Sequence, residues 1–158
     1  MKKVIIAIAI AIVAVASNAA SFKWSAANIY SPTDSTVKLS SGTAALYCDA
    51  LSSDPVSTVS VASGAIAATT FDVNATANQS YTFYFVITTE TAGETYTFTS
   101  ASKTVTASDV GAVNIAFGNQ ATATQSASNW KGGNVPEPTT GLLVIFGMAG
   151  LALKRKVA

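Results

Sequence analysis

Residues 80–89 read Ser80-Tyr81-Thr82-Phe83-Tyr84-Phe85-Val86-Ile87-Thr88-Thr89. Aromatic and β-branched side chains fit a pleated, half-buried strand. A period of two then sets Tyr81, Phe83, Phe85 and Ile87 on one face, with Thr82, Tyr84, Val86 and Thr88 on the other. Both faces carry apolar groups, so this strand is expected to be central and covered on both sides. Glu90-Thr91-Ala92-Gly93-Glu94 follows as a turn, and Thr95-Tyr96-Thr97-Phe98-Thr99-Ser100 alternates strictly again. Together the two runs predict a β-hairpin.

Outward from this hairpin the chain keeps the same grammar: short runs punctuated by Gly, Pro, Asn, Asp and Ser, with no long 3.6-residue apolar period. Upstream, residues 21–30 place Phe22, Trp24 and Ala26 on one face and predict a first strand that ends at Ser31-Pro32-Thr33-Asp34. Residues 36–39 are a short second candidate. Residues 43–48 are apolar on both sides and read as a central strand. Residues 56–61 follow an Asp54-Pro55 turn, residues 62–68 suit a short helix or a loop, and residues 69–73 suit another strand. Downstream, residues 103–106 and 112–117 complete the set. About seven to nine short strands over residues 20–118 predict an all-β fold, an antiparallel β-sandwich. Residues 119–134 lose the alternation in Asn, Gln, Ala, Thr and Ser, and predict a flexible polar linker. Trp130 is out of place there. It packs back on the domain or sits at a membrane interface, where tryptophan is favoured.

Two removable ends flank the domain. Met1-Lys2-Lys3, an apolar run over residues 4–15 and Ser17-Asn18-Ala19 form a Sec signal peptide over residues 1–19, cut after Ala19 or secondarily after Ala20. At the other end, residues 135–158 hold Pro136-Glu137-Pro138, an uncharged stretch to Leu153, and Lys154-Arg155-Lys156. The prolines fix φ and remove donors, making a spacer that no helix enters. The uncharged stretch, about 24 Å long as a helix, is a short transmembrane helix that the basic cluster extends by snorkelling. That cluster keeps the C-terminus inside.

This three-part tail resembles the PEP-CTERM sorting signal of Gram-negative bacteria. The resemblance covers the end of the chain alone, and its one departure is a single arginine between two lysines. It implies recognition by an exosortase, a membrane cysteine protease/transpeptidase that cuts near the motif. A simple membrane-anchored surface protein without processing is the alternative.

Chemistry is sparse between the ends. The acids are Asp34, Asp49, Asp54, Asp72, Glu90, Glu94 and Asp109; the bases are Lys23, Lys38, Lys103 and Lys131, a net charge of −3. A weakly acidic surface without clustered Lys or Arg argues against a nucleic-acid partner. The chain has no histidine, which removes His-based triads and His metal sites. Paired acids could serve a glycosidase, but Asp34, Asp54, Glu90, Glu94 and Asp109 sit in turn contexts, where acids bond locally. Residues 72–78 alternate oxygen donors but lack the glycine and the terminal glutamate of an EF-hand. The expectation is therefore no enzyme, no cofactor and no metal. Cys48 is the single cysteine, either a buried inert thiol or half of an intermolecular disulfide.

These readings describe an exported, non-catalytic protein of the cell surface or exopolysaccharide matrix. Its partners would be the Sec translocon, signal peptidase, an exosortase-like enzyme and, transiently, the inner membrane. The alternative role is an extracellular carbohydrate-binding module, with Trp24, Tyr30 and Tyr84 stacking on sugar rings of a polysaccharide.

Overall fold

The computed structural model describes residues 19–133. The signal helix, the transmembrane helix, the Pro136-Glu137-Pro138 motif and the Lys154-Arg155-Lys156 cluster lie outside the described residues. Among the described residues no helix is long and apolar enough to cross a membrane.

Nine strands occupy most of this stretch: β1 (Ala19–Ala27), β2 (Ser41–Cys48), β3 (Ser52–Ala62), β4 (Ala65–Asn74), β5 (Ser80–Thr91), β6 (Glu94–Thr99), β7 (Lys103–Thr106), β8 (Val113–Asn119) and β9 (Trp130–Gly132). A single helical turn, α1 (Ala121–Thr124), and a 3-10 turn (Ala127–Asn129) separate the last two. The strands join in the order β8-β1-β4-β3-β2-β5-β6-β9, with β7 added to β5. Every pairing is antiparallel except β1 with β8, which is parallel.

The all-β expectation holds, but in place of a purely antiparallel sandwich the chain forms one curled, mixed sheet. The curl has a local cause. β3 and β4 pair only at Val61↔Ile66 and Ala62↔Ala65, beside their turn, so the sheet opens there and its two wings fold toward each other. β1 and β5 are four places apart in the strand order, yet Phe22 meets Phe83 at 5.2 Å and Trp24 meets Phe85 at 6.0 Å between ring centroids. The aromatic chain continues through Phe117 at 4.8 Å and Phe98 at 6.2 Å from Phe85, and through Trp130 at 5.4 Å from Phe98. Edge-on and tilted contacts of this kind let large side chains fill the space between the wings.

The predicted hairpin is β5–β6, turning at Ala92-Gly93 with φ of 55° and 80°. Positive φ at both central residues is the type I′ geometry that matches strand twist. A second such hairpin was not readable in residues 62–68. Ser63-Gly64, with φ of 51° and 70°, turns β3 into β4. A Cβ at Gly64 would stand 2.6 Å from the Ile29 carbonyl oxygen, so glycine is required there for space as well as for φ.

Four further expectations are corrected. Residues 36–39 make no strand, only the bridge Tyr30↔Lys38. Asp54-Pro55 is not a turn: the turn lies earlier, where Leu51 N–H bonds the Cys48 carbonyl at 2.9 Å. β3 runs through Pro55 because the pairing with β2 jumps from Leu46↔Ser57 to Cys48↔Ser52. In such a bulge a residue without an N–H costs no ladder bond. β5 is central but covered on one face only, since Thr82 and Thr88 are exposed and Tyr84 and Val86 half-buried. Finally, residues 119–133 fold onto the domain through α1 and β9 instead of forming a flexible linker.

Candidate functional site

The uncovered face of β2, β5 and their neighbours carries an ordered set of polar side chains. Pairing aligns Ser60, Thr43, Thr88 and Thr97 in one row that ends at Lys131. Thr58, Ala45, Val86 and Thr99 form the next. One step further, Tyr47 and Tyr84 face each other across β2 and β5. Their rings stack at 5.4 Å with planes 13° apart. Beyond them the Thr82 and Thr104 hydroxyls lie 2.8 Å apart, and those of Ser80 and Thr106 3.2 Å apart.

The Tyr84 hydroxyl donates to Asp49 Oδ1 at 3.3 Å, and Asp49 is exposed. Partial desolvation, and then the neighbouring carboxylate, push the Tyr84 phenol above its ordinary range. Both rings are half-buried. The result is a polarised aromatic pair beside a carboxylate, set in a field of hydroxyls. Aromatic C–H and π surface with adjacent hydrogen-bonding groups suits a ligand that is apolar on its ring faces and polar at its edges, as a sugar is.

The structure separates the three aromatics expected to stack on sugar. Trp24 is fully buried, and its indole N–H donates to Ser57 Oγ at 3.0 Å; it is a core residue and cannot meet a ligand. Tyr30 is half-buried next to α1, its backbone N–H donating to Thr124 Oγ1 at 3.0 Å. Only Tyr84 lies on the hydroxyl face. Its partner Tyr47 was missed, because residues 43–48 are apolar on both sides and do not disclose which residue of β5 each one opposes.

The other singled-out groups are tied up locally. The Asp34 carboxylate accepts from the Thr36 hydroxyl at 2.7 Å and the Thr36 N–H at 2.8 Å, bonds that hold its pKa below the usual value. Asp72 accepts from the Ser21 hydroxyl, and Glu94 accepts from the Tyr96 hydroxyl at 3.0 Å. Among the described residues no three Asp, Glu or Cys side chains gather as a metal-ligand group. Cys48 is free and fully buried, and burial raises its thiol pKa. No thiol surface is left for a disulfide between chains. At the N-terminal junction, Ala19 is exposed and pairs with Asn74, while Ala20 is buried and pairs with Val73.

At the other end, β9 lies along β6 through Phe98↔Trp130, Thr97↔Lys131 and Tyr96↔Gly132. Trp130 is 7 % exposed, and its indole N–H donates to the Thr124 carbonyl at 3.0 Å. The domain is thus closed by the last residues before the tail.

In the chain, this all-β domain is followed by the proline-bounded apolar tail. Residues 134–156 match the family model described as the PEP-CTERM protein-sorting motif. No curated protein and no solved structure matches the chain. The motif implies an exported chain, anchored through its C-terminal region and processed by an exosortase, itself a membrane protein.

Proposed function

We propose that this is a non-catalytic protein of the cell surface or exopolysaccharide matrix. The Sec translocon delivers it and signal peptidase removes residues 1–19. The tail then holds it in the inner membrane with its C-terminus cytoplasmic until an exosortase releases or transfers it. The observation that carries this reading is the sorting motif at 134–156, which follows the β-domain in the chain. The absence of histidine and the local bonding of Asp34, Asp72 and Glu94 support a role without catalysis. The test is expression in a native-type host with tags at both ends. Loss of the C-terminal tag from the surface-displayed form is expected; its retention would leave a simple anchored protein.

A second reading is supported by the Tyr47–Tyr84 stack. On it, the domain is a carbohydrate-binding module whose hydroxyl face lies along a neutral polysaccharide, with Asp49 bonding sugar hydroxyls. Affinity electrophoresis of residues 20–133 in gels containing neutral glycans checks it. Retention that Tyr84→Ala removes is expected. Equal mobility in every glycan, the producer's own matrix included, would leave the matrix role without sugar binding, and hydrolysis of any glycan would overturn both readings.

A further inference from the structure

β4 (Ala65–Asn74) pairs with β1 along one side, from Ile66 to Asn74. On its other side it meets β3 only at Ala65 and Ile66, beside their turn. Among the described residues no backbone bond reaches that side of residues 69–74. A strand so placed turns unpaired N–H and C=O groups outward, a template for another strand. The other borders are guarded or short. β3 carries Asp54, Pro55 and its bulge, β8 slips in register past Phe117, and β7 and β9 have four and three residues. From Thr69 to Val73, β4 holds no Pro, no Lys and no bulge, and its one charge is Asp72. It is the unguarded edge of the sheet.

Its two faces differ. Thr69, Phe71 and Val73 are half-buried on the core side, whereas Thr70 and Asp72 are exposed. Phe71 stacks on Phe22 at 5.8 Å and meets Phe83 at 6.4 Å. Beside Val73 a cleft of about 360 Å³ opens toward Leu51 and Val56, where the wings part. Uncovered apolar surface and unpaired backbone thus lie along the same edge.

We propose that two copies of this chain pair through β4, edge to edge and antiparallel, joining their β8-β1-β4 wings into one six-stranded sheet. An antiparallel edge is its own complement. A two-fold axis perpendicular to the sheet matches N–H to C=O in both directions and keeps Phe71 and Val73 on the inner face of both copies. Residues that face each other must share a face, so the axis falls on a residue. Charge selects which one. With the axis at Phe71, Thr70 faces the second copy's Asp72, Thr69 faces Val73 and Phe71 faces itself. Lys23 pairs with Thr70 within each copy, so it shares a row with the second copy's Asp72, two strands and about 10 Å away. With the axis at Thr70 the two Lys23 side chains would share one row, and with the axis at Asp72 two carboxylates would face each other, which is destabilising. A five-residue contact is about 17 Å long and forms a small interface, so the dimer is weak, with a Kd on the order of 100 µM.

The buried core lies wholly within residues 20–133, so sedimentation equilibrium of that domain, from about 1 µM to about 1 mM, tests the pairing. The parent should dimerise over this range. Thr70→Asp sits beside Lys23 in its own copy, which suits the fold, but faces the second copy's Asp72; it should weaken the dimer at least about tenfold. Adding Asp72→Lys to Thr70→Asp restores opposite charges across the axis and should return association to the parental level. Circular dichroism of each variant reports that the fold is kept. In the full-length chain, copies carrying Thr70→Cys and copies carrying Asp72→Cys, expressed together, should be joined by a short bifunctional maleimide in excess over like pairs. A parent domain that stays monomeric at about 1 mM overturns the self-pairing and leaves the edge to some other extended chain. Unchanged association in Thr70→Asp, no rescue in the double variant, or no excess of mixed pairs overturns it as well.

Discussion

The two faces of β5 (Ser80–Thr91) both carry Thr and Tyr, but Phe83, Phe85 and Ile87 lie on one and Val86 on the other, and their fates are opposite. On one face Tyr81, Phe83, Phe85, Ile87 and Thr89 are all buried. On the other, Thr82 and Thr88 are exposed and Tyr84 and Val86 are half-covered by their neighbours. The inner face has a partner wing, β1, that brings Phe22 and Trp24 onto it. The outer face has no second layer among the described residues; Tyr84 stacks on Tyr47 and bonds Asp49 in the turn between β2 and β3. Composition therefore favours the first face for the core, although Tyr and Thr occur on both. The curl of the sheet completes the assignment, because it turns one face to the core and leaves the other to solvent.

The sharpest way to break this comparison is truncation on the two faces. Phe85→Ala removes a fully buried ring that touches Trp24, Phe98 and Phe117, and should cost about 3–5 kcal/mol. Tyr84→Ala, one residue away, loses one cross-strand stack and should cost about 0.2–1 kcal/mol. Urea unfolding of residues 20–133 measures both. Equal losses would mean that the outer face is covered after all. Between them falls Trp130→Ala. Its ring is 7 % exposed at the edge of the core, so a loss of about 3 kcal/mol is expected. Hydrogen exchange should show faster amides in β9 and along β6, leaving β1 and β2 protected.

Which of these contrasts was readable in the sequence follows from physical range. Alternation is a local property, so Phe22, Trp24, Phe83, Phe85 and Phe98 could be assigned to faces from their own strands, and the Ala92-Gly93 hairpin from its own turn. The role of a face depends on what the rest of the chain packs against it. For that reason Trp24 could be read both as core and as a sugar platform, and β5 as covered twice. Tyr47 opposite Tyr84 depends on β2–β5 register, which joins residues distant in sequence. The bulge that absorbs Pro55 is likewise a property of the pairing. Trp130 is the clearest case: the residues around it are polar and small, so no periodic pattern announces β9. Its burial comes from the Phe98 ring and the Thr124 carbonyl, which the sequence places far away and nearby respectively. The sorting tail was legible because its signal is linear, three segments in fixed order.

The smallest expected effect concerns two half-buried phenols on opposite faces of the sheet. Tyr84 and Tyr96 are both pushed above the ordinary tyrosine range, for different first reasons. For Tyr84 the largest cause is desolvation, with the Asp49 charge second. For Tyr96 it is the hydrogen bond to Glu94, with desolvation second. Removing the carboxylate should therefore lower the Tyr96 pKa in Glu94→Ala and the Tyr84 pKa in Asp49→Ala. Spectrophotometric titration of phenolate, with NMR to assign each ring, reads the difference. The sign for stability follows from the same shifts. A folded pKa above the unfolded value favours the protonated phenol in the folded state. This contribution is complete below the unfolded tyrosine pKa of about 10 and is lost as pH rises through the folded value. Stability should thus decline on the alkaline side, and less steeply in Glu94→Ala and in Asp49→Ala than in the parent chain. An unchanged alkaline slope in either variant would show that its carboxylate does not couple to the neighbouring phenol.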